Sequence, residues 1–177
     1  FLYDGLCAAG YRPAILIRGY GAAVNAPLWV DPSQHTIDDC GDEALMLSES
    51  RDVLVAPDRV AGAHFISLRG IHDVILMDDG MQNPFISKTL SIGTFDGSVG
   101  IGNGFSIPAG PMRVSLASGV KQMDIALING HDETNIAAKL PFGLTRFNAS
   151  LSPDQTIIDA LDDTPILAFA GIGQPKR

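Results

Sequence analysis

The sequence predicts a three-layer α/β domain in which helices flank a mostly parallel sheet. Short apolar runs alternate along the chain with helical segments, which is the βαβ rhythm of a doubly wound sheet. The chain has 177 residues, of which 46% are hydrophobic, and this is enough to bury the core of one domain of ordinary size. We therefore expect residues 1–177 to form a single α/β domain.

The first half of the chain supplies four of the predicted strands. Apolar runs of about four residues are typical of strands buried on both faces of a parallel sheet. Gly10 is placed as a helix C-cap, and two acids at residues 42 and 43 favour the start of a helix. In order, we predict a helix ending at residue 10, strands over 14–17 and 28–30, a helix over 41–48, a strand over 53–56, a helix over 60–70 and a strand over 74–77.

The second half continues the same rhythm. Its glycine-rich segment at residues 97–104 does not fit the G-x-G-x-x-G register of a dinucleotide-binding turn, and we predict a loop there. In order, we predict a strand over 90–96, this loop, a helix over 113–122, a strand over 125–128, an extended segment over 144–151, a helix over 153–161 with Asp154 near its start, and a strand over 166–170.

Two carboxylates, Asp78 and Asp79, follow the strand predicted at residues 74–77. Open α/β sheets bind ligands at the carboxyl ends of their strands, and carboxylates there can hold Mg²⁺. If the strand geometry continues, the two side chains point to opposite faces, so that one ligates the metal and the other orients a neighbour. Gly80 then opens a tight turn. The alternative is a strand that simply ends in an Asp-Asp-Gly turn.

Two further segments offer charged side chains at the same predicted edge of the sheet. Arg18 and Tyr20, between glycines, follow the first strand, where a positive charge suits an anionic substrate; the alternative is a glycine turn with a solvated arginine. Asp42 and Glu43 begin a helix, and helix capping alone would account for them. Four carboxylates in one cleft would repel one another without a divalent cation. Mg²⁺ with a nearby acid to accept a proton indicates phosphoryl transfer.

Composition excludes several other functions. The net charge of −8 argues against a nucleic-acid partner. Cys7 and Cys40 have no C-x-x-C spacing, which favours a reducing compartment over a disulfide framework or a zinc site. No signal peptide is visible in the sequence, and no apolar run approaches the roughly 18 residues of a membrane span. These features predict a cytoplasmic protein and leave surface attachment to a membrane open.

Five motifs follow one another from end to end of the chain. They are Arg18-Gly19-Tyr20-Gly21, Gly41-Asp42-Glu43, Asp78-Asp79-Gly80 with Gln82-Asn83-Pro84, Gly102-Asn103-Gly104 with Pro108-Ala109-Gly110-Pro111, and Phe169-Ala170-Gly171-Ile172-Gly173. Each is weak alone, but in this order they resemble the tetraacyldisaccharide 4′-kinases, the lipid A 4′-kinases of Gram-negative bacteria. The resemblance implies a P-loop-NTPase-like fold and an enzyme that uses ATP and Mg²⁺ to phosphorylate the 4′-hydroxyl of a tetraacyldisaccharide 1-phosphate, the lipid A precursor. It also implies peripheral contact with the cytoplasmic face of the inner membrane.

The resemblance assigns roles to seven residues. It implies that Asp42 is the general base and that Glu43 is its neighbour on the metal side. It implies that Asp78 and Asp79 are the Walker B carboxylates, with Asp79 as the Mg²⁺ contact. Gln82 is expected to support the site. The two residues expected near the lipid headgroup and its phosphate are Arg18 and Tyr20.

The chain also departs from the family pattern. It contains no G-x-x-x-x-G-K-[ST] P-loop, and Ala44 stands where many relatives carry proline. Because the chain begins without Met in a predicted helix tail, we expect a central fragment that lacks the P-loop and the C-terminal lobe, and that alone neither turns over nor binds ATP tightly. Two alternatives remain, a catalytically inactive binding module and another P-loop enzyme with a small-molecule acceptor.

Overall fold

The structure of the protein, a computed structural model, describes residues 1–161 and contains two sheets. The first has the strand order β2-β3-β1-β4, with β1 parallel to both β3 and β4, and β2 antiparallel to β3. The second has the order β5-β6-β7 and is entirely parallel. The strands are β1 (Pro13–Ile17), β2 (Leu28–Trp29), β3 (Val53–Val55), β4 (Val74–Met77), β5 (Ile92–Asp96), β6 (Ile125–Asn129) and β7 (Thr145–Ala149).

Helices cover both faces of the first sheet. One face packs against Ala44, and the other packs against Ile66, from two different helices. This gives the three layers that the sequence predicts. The helices are α1 (Leu2–Ala8), α2 (Ile37–Cys40), α3 (Asp42–Ser48), α4 (Arg59–Arg69), α5 (Leu116–Gly119), α6 (Ile136–Lys139) and α7 (Gln155–Ala160), with a 3₁₀ turn over Val120–Gln122.

The central strand β1 is buried along its whole length. Ile15 and Ile17 face the core on the α3 side, and Leu16 faces the core on the α4 side, because successive side chains of a strand alternate between faces. This is why the run reads as continuously apolar. Helix α4 approaches closely at Gly62, where a Cβ would lie 2.7 Å from side-chain carbons of both Leu16 and Ala56.

The structure confirms the α/β class and most of the predicted elements. It differs in forming two sheets where the sequence predicted one, and in adding the short helices α2 and α6. The helix predicted over residues 113–122 is shorter, because α5 covers four residues before the 3₁₀ turn. The strand predicted over 166–170 and the motif at 169–173 lie outside the described residues.

The prediction that β4 is a buried strand is wrong. Within residues 1–161 it pairs with β1 alone, so one of its edges has no neighbouring strand. Its four side chains are only partly buried, and Ile75 is 38% exposed. Parallel pairing, which the sequence also predicted, is confirmed. None of the helices described over residues 1–161 has the length and apolar character needed to cross a membrane.

Candidate functional site

The predicted site residues cluster at the carboxyl ends of β1 and β4. Arg18 directly follows β1, and Asp78 and Asp79 directly follow the neighbouring parallel strand β4. Strand β1 lies between β3 and β4, and α3 and α4 pack on opposite faces of the sheet. Ligands of α/β sheets bind at such a point. We call Arg18, Asp42, Glu43, Asp78 and Asp79 the acidic edge.

A glycine-containing turn brings the start of α3 to this edge. Gly19 has φ 71°, and a Cβ there would collide with Val55. Gly41 has φ 88°, and its Cβ position lies 3.6 Å from the carbonyl oxygen of Tyr20. Both conformations favour glycine. The first residue of α3, Asp42, is therefore held beside the turn that follows β1.

The carboxylates of the acidic edge are close enough to affect one another. Burial raises the pKa of Glu43, and the charges of Asp78 and Asp42 raise it further. The Oδ1 atom of Asp42 accepts a hydrogen bond of 2.9 Å from the backbone N–H of Glu43. Like charges that raise a carboxyl pKa are relieved when a cation binds. The edge thus favours a cationic ligand.

Glu43→Gln is expected to stabilise the fold at neutral pH. Because the pKa of Glu43 is raised in the folded chain, the folded state binds its proton more tightly, and stability falls as pH rises through that raised value. The gain in Tm should be present at pH 7 and vanish below the ordinary Glu range, where both states are protonated. Thermal unfolding at the two pH values measures it, with the exposed Glu49→Gln as control. A gain of equal size at both pH values would contradict the assignment.

Strand geometry, the condition under which Asp78 and Asp79 would point to opposite faces, does not continue through Asp79. The strand ends at Met77, and Asp79 has φ 49°, in the left-handed region that non-glycine residues seldom adopt. Such strained residues are concentrated at functional sites. The Oδ2 atom of Asp79 lies 2.6 Å from Nη2 of Arg113, which follows the long loop after β5.

Arg59, for which the sequence predicted no role, holds the backbone of the acidic edge in place. It is 8% exposed, and its Nη1 and Nη2 donate to the carbonyl oxygens of Leu16 at 2.5 Å and Asp78 at 2.8 Å. Burial lowers the pKa of the Arg59 guanidinium, while the charges of Asp78 and Asp79 oppose that shift. An arginine at the first residue of α4, four residues after the end of β3, was the available signal.

The remaining predicted residues are more exposed and more separate. Tyr20 is 95% exposed. Gln82 is exposed and lines an open cleft of about 550 Å³ between the segment after β4 and the start of the second sheet. Asn83, Lys88 and Asp124 line the same cleft. The structure therefore brings the acids together with Arg18 and leaves Gln82 in a cleft that no residue of the acidic edge lines.

The donor set fits a magnesium ion shared with a substrate. Within residues 1–161 no three His, Cys, Asp or Glu side chains lie close enough to form a metal site made by protein alone. Mg²⁺ is commonly bound by one or two carboxylates, with water and substrate phosphates completing its coordination. Asp78 and Asp79 can supply that number of carboxylates. They fit a cation that arrives with a phosphorylated substrate.

Comparison with known proteins gives a consistent set of similarities. A family model described as tetraacyldisaccharide-1-P 4′-kinase matches residues 1–177. The chain is 44% identical over 176 residues to the tetraacyldisaccharide 4′-kinase of Rhodopseudomonas palustris (strain BisB18), covering 97% of this chain and 51% of that protein. It is 43% identical over 171 residues to that of Methylobacterium sp. (strain 4-46), covering 95% and 51%. The chain spans about half the length of these curated relatives.

The fold also has a solved counterpart. A crystal structure of LpxK from Aquifex aeolicus in complex with ATP superposes with a TM-score of 0.65 at 22% sequence identity. The match covers 83% of this chain and 46% of that one. The predicted P-loop-NTPase-like α/β fold class is confirmed.

Proposed function

Because this chain belongs to the tetraacyldisaccharide-1-P 4′-kinase family, we propose that the full-length protein is an ATP-dependent lipid kinase. It transfers a phosphoryl group from ATP to the 4′-hydroxyl of a tetraacyldisaccharide 1-phosphate, the lipid A precursor. The observation that carries the proposal is the family match over residues 1–177. The acidic edge at the ends of two parallel strands supports it with a site of the right chemistry.

Asp42 acts as the general base in this proposal. Its carboxylate is exposed at the first residue of α3, beside the turn after β1 and within the electrostatic reach of Glu43. An exposed carboxylate can accept the proton of an attacking hydroxyl group. Glu43 is close enough to Asp42 and Asp78 for both charges to act on it, and it keeps the metal side of the edge negative. Burial and these two nearby negative charges raise the pKa of Glu43.

Asp78 and Asp79 hold the metal side of the site. Their backbone is fixed by Arg59, and by the hydrogen bond from Asp78 N to Leu16 O at 3.3 Å. Asp79 is the proposed direct ligand, and Asp78 supports it. When bound, Mg²⁺ would neutralise charge on the phosphates of ATP. The chain's own contribution is to hold both carboxylates at a fixed place on the edge.

Arg18, Tyr20 and Gln82 face the lipid acceptor in the proposal. Arg18 supplies a cation for the substrate's phosphate, and Tyr20, two residues later in the same turn, has an exposed ring. Gln82 supports the site from the cleft that it lines. Since the acceptor is a lipid, we also propose peripheral contact with the cytoplasmic face of the bacterial inner membrane.

The proposal is tested by incubating the purified full-length protein with ATP, Mg²⁺ and a tetraacyldisaccharide 1-phosphate. Mass spectrometry should show an acceptor heavier by one phosphate group. An acceptor analogue that lacks the 4′-hydroxyl is the matched control and should remain unmodified. Phosphorylation of that analogue would show that the phosphoryl group is transferred to a hydroxyl other than the 4′-hydroxyl. Acceptor binding without any turnover would instead support an inactive binding module.

A further inference from the structure

We propose that Arg113 is a releasable counter-ion of Asp79, which clamps the glycine-rich loop (residues 97–112) to the acidic edge until a divalent cation takes its place. The inference rests on the proposed function, because it assumes that Asp79 is a metal ligand. It concerns a residue for which the sequence motifs gave no role. The proposal also gives a function to the contact between Arg113, which follows β5 of the second sheet, and Asp79, which follows β4 of the first.

The geometry joins two parts of the chain that belong to different sheets. Asp79 follows β4 of the first sheet, and Arg113 ends the loop that leaves β5 of the second. Arg113 Nη2 lies 2.6 Å from Asp79 Oδ2. Asp79 makes this contact from a left-handed backbone conformation, with φ 49°. The ion pair therefore links the position of the loop to the acidic edge.

The loop that carries Arg113 is braced by its own hydrogen bonds. Met112 N donates to Phe105 O at 3.3 Å, one residue before Arg113. Earlier in the same loop, Asn103 Nδ2 donates to Ala109 O at 2.8 Å. A braced loop moves as a unit more readily than it changes shape. Breaking the Arg113 contact should therefore release the braced part of the loop, while Gly97 stays hydrogen-bonded to Asn129 and Glu133.

The ion pair is weak enough to be exchanged. The side chains of Arg113 and Asp79 are 61% and 45% exposed, and exposed ion pairs contribute little to stability. A guanidinium and a divalent cation both need the carboxylate oxygens of Asp79, so that they compete for them. Once displaced, Arg113 has a free guanidinium, a group that is suited to contact phosphate oxygens.

The chain contains a matched pair in which no exchange is expected. Arg12 Nη2 lies 2.8 Å from Asp73 Oδ1, and these side chains are 62% and 37% exposed. The pair lies before β1 and before β4, at the opposite ends of the same two strands. Substituting either arginine removes one positive charge. Only the pair at Asp79 is expected to affect a cation at the acidic edge.

The test measures Mn²⁺ binding to the full-length protein without nucleotide, from the paramagnetic resonance signal of the free ion. Mn²⁺ accepts the same carboxylate and water ligands as Mg²⁺. Arg113→Gln should tighten binding about 1.5- to 5-fold, which is the range given by loss of an exposed ion pair. Arg12→Gln should leave the affinity unchanged, and Asp79→Asn should weaken it in either background.

Hydrogen exchange of residues 97–112 gives a second readout that does not depend on activity. Adding Mg²⁺ to the parent protein should speed exchange in this loop, and Arg113→Gln should show the faster exchange already without metal. Equal Mn²⁺ affinity in Arg113→Gln and Arg12→Gln, or loop exchange that ignores Mg²⁺, would overturn the inference. Kinase activity is measured separately. If the enzyme is active but shows either of these contradicting results, the role of Arg113 as a counter-ion is rejected and the proposed function stands.

Discussion

Asp42→Asn in the full-length protein is expected to lower kcat for phosphorylation of the lipid acceptor by about 10²- to 10⁴-fold, the usual contribution of a positioned general base. The substitution keeps the size of the side chain and its oxygen for the backbone N–H of Glu43, but it removes the basic carboxylate. The first turn of α3 should therefore stay intact. Steady-state rates with saturating ATP and acceptor measure the effect.

Asp38→Asn is the matched control for this substitution. Asp38 is also exposed, and it lies in α2, the short helix just before α3. The Asp38→Asn variant loses the same charge and should keep the kcat of the parent protein. A normal kcat in Asp42→Asn, with folding and acceptor binding intact, would remove Asp42 from the role of base. An equal loss of rate in both variants would indicate a general effect of charge rather than proton transfer.

Much of the acidic edge follows from local signals in the sequence. The apolar run of β1 and the glycines at 19 and 21 located the turn that presents Arg18, and the rule that ligands bind at carboxyl ends of parallel strands grouped it with Asp78. These signals act over a few residues. The family resemblance then gave the group a function, which composition and spacing alone left open.

The rest depends on contacts that no local pattern encodes. Arg59 binds two main-chain carbonyl groups, and every residue has such an acceptor, so that its partners cannot be identified from side-chain types. Arg113 reaches Asp79 only because segments of two sheets meet. The left-handed conformation of Asp79 is likewise not encoded by its residue type. The same βαβ rhythm also occurs in both sheets, which is why one sheet was predicted.

Arg59→Leu is expected to lower the free energy of unfolding by about 1–3 kcal/mol, the cost of leaving one carbonyl group without its hydrogen-bond donor. Arg59 donates to the carbonyls of Leu16 and Asp78, at the ends of adjacent strands, and Leu16 O keeps the backbone N–H of Asp78 as a second donor. Loss of their shared donor should also let the Asp78 turn move. Urea denaturation measures the stability, and Arg69→Leu is the control on the same helix.

The Cζ atom of Arg69 lies 4.5 Å from the centroid of the Trp29 ring. Loss of this cation–π contact in Arg69→Leu should lower the free energy of unfolding by only about 0.5–1 kcal/mol. Arg59→Lys separates stability from positioning, because lysine keeps the charge but cannot bond two carbonyl groups in the fixed geometry of a guanidinium. If Arg59 positions Asp78, kcat in Arg59→Lys stays low at temperatures where that variant is fully folded. Recovery of the full rate by lysine would limit Arg59 to stabilising the fold, and the geometry of the acidic edge would then depend on the backbone of β4 alone.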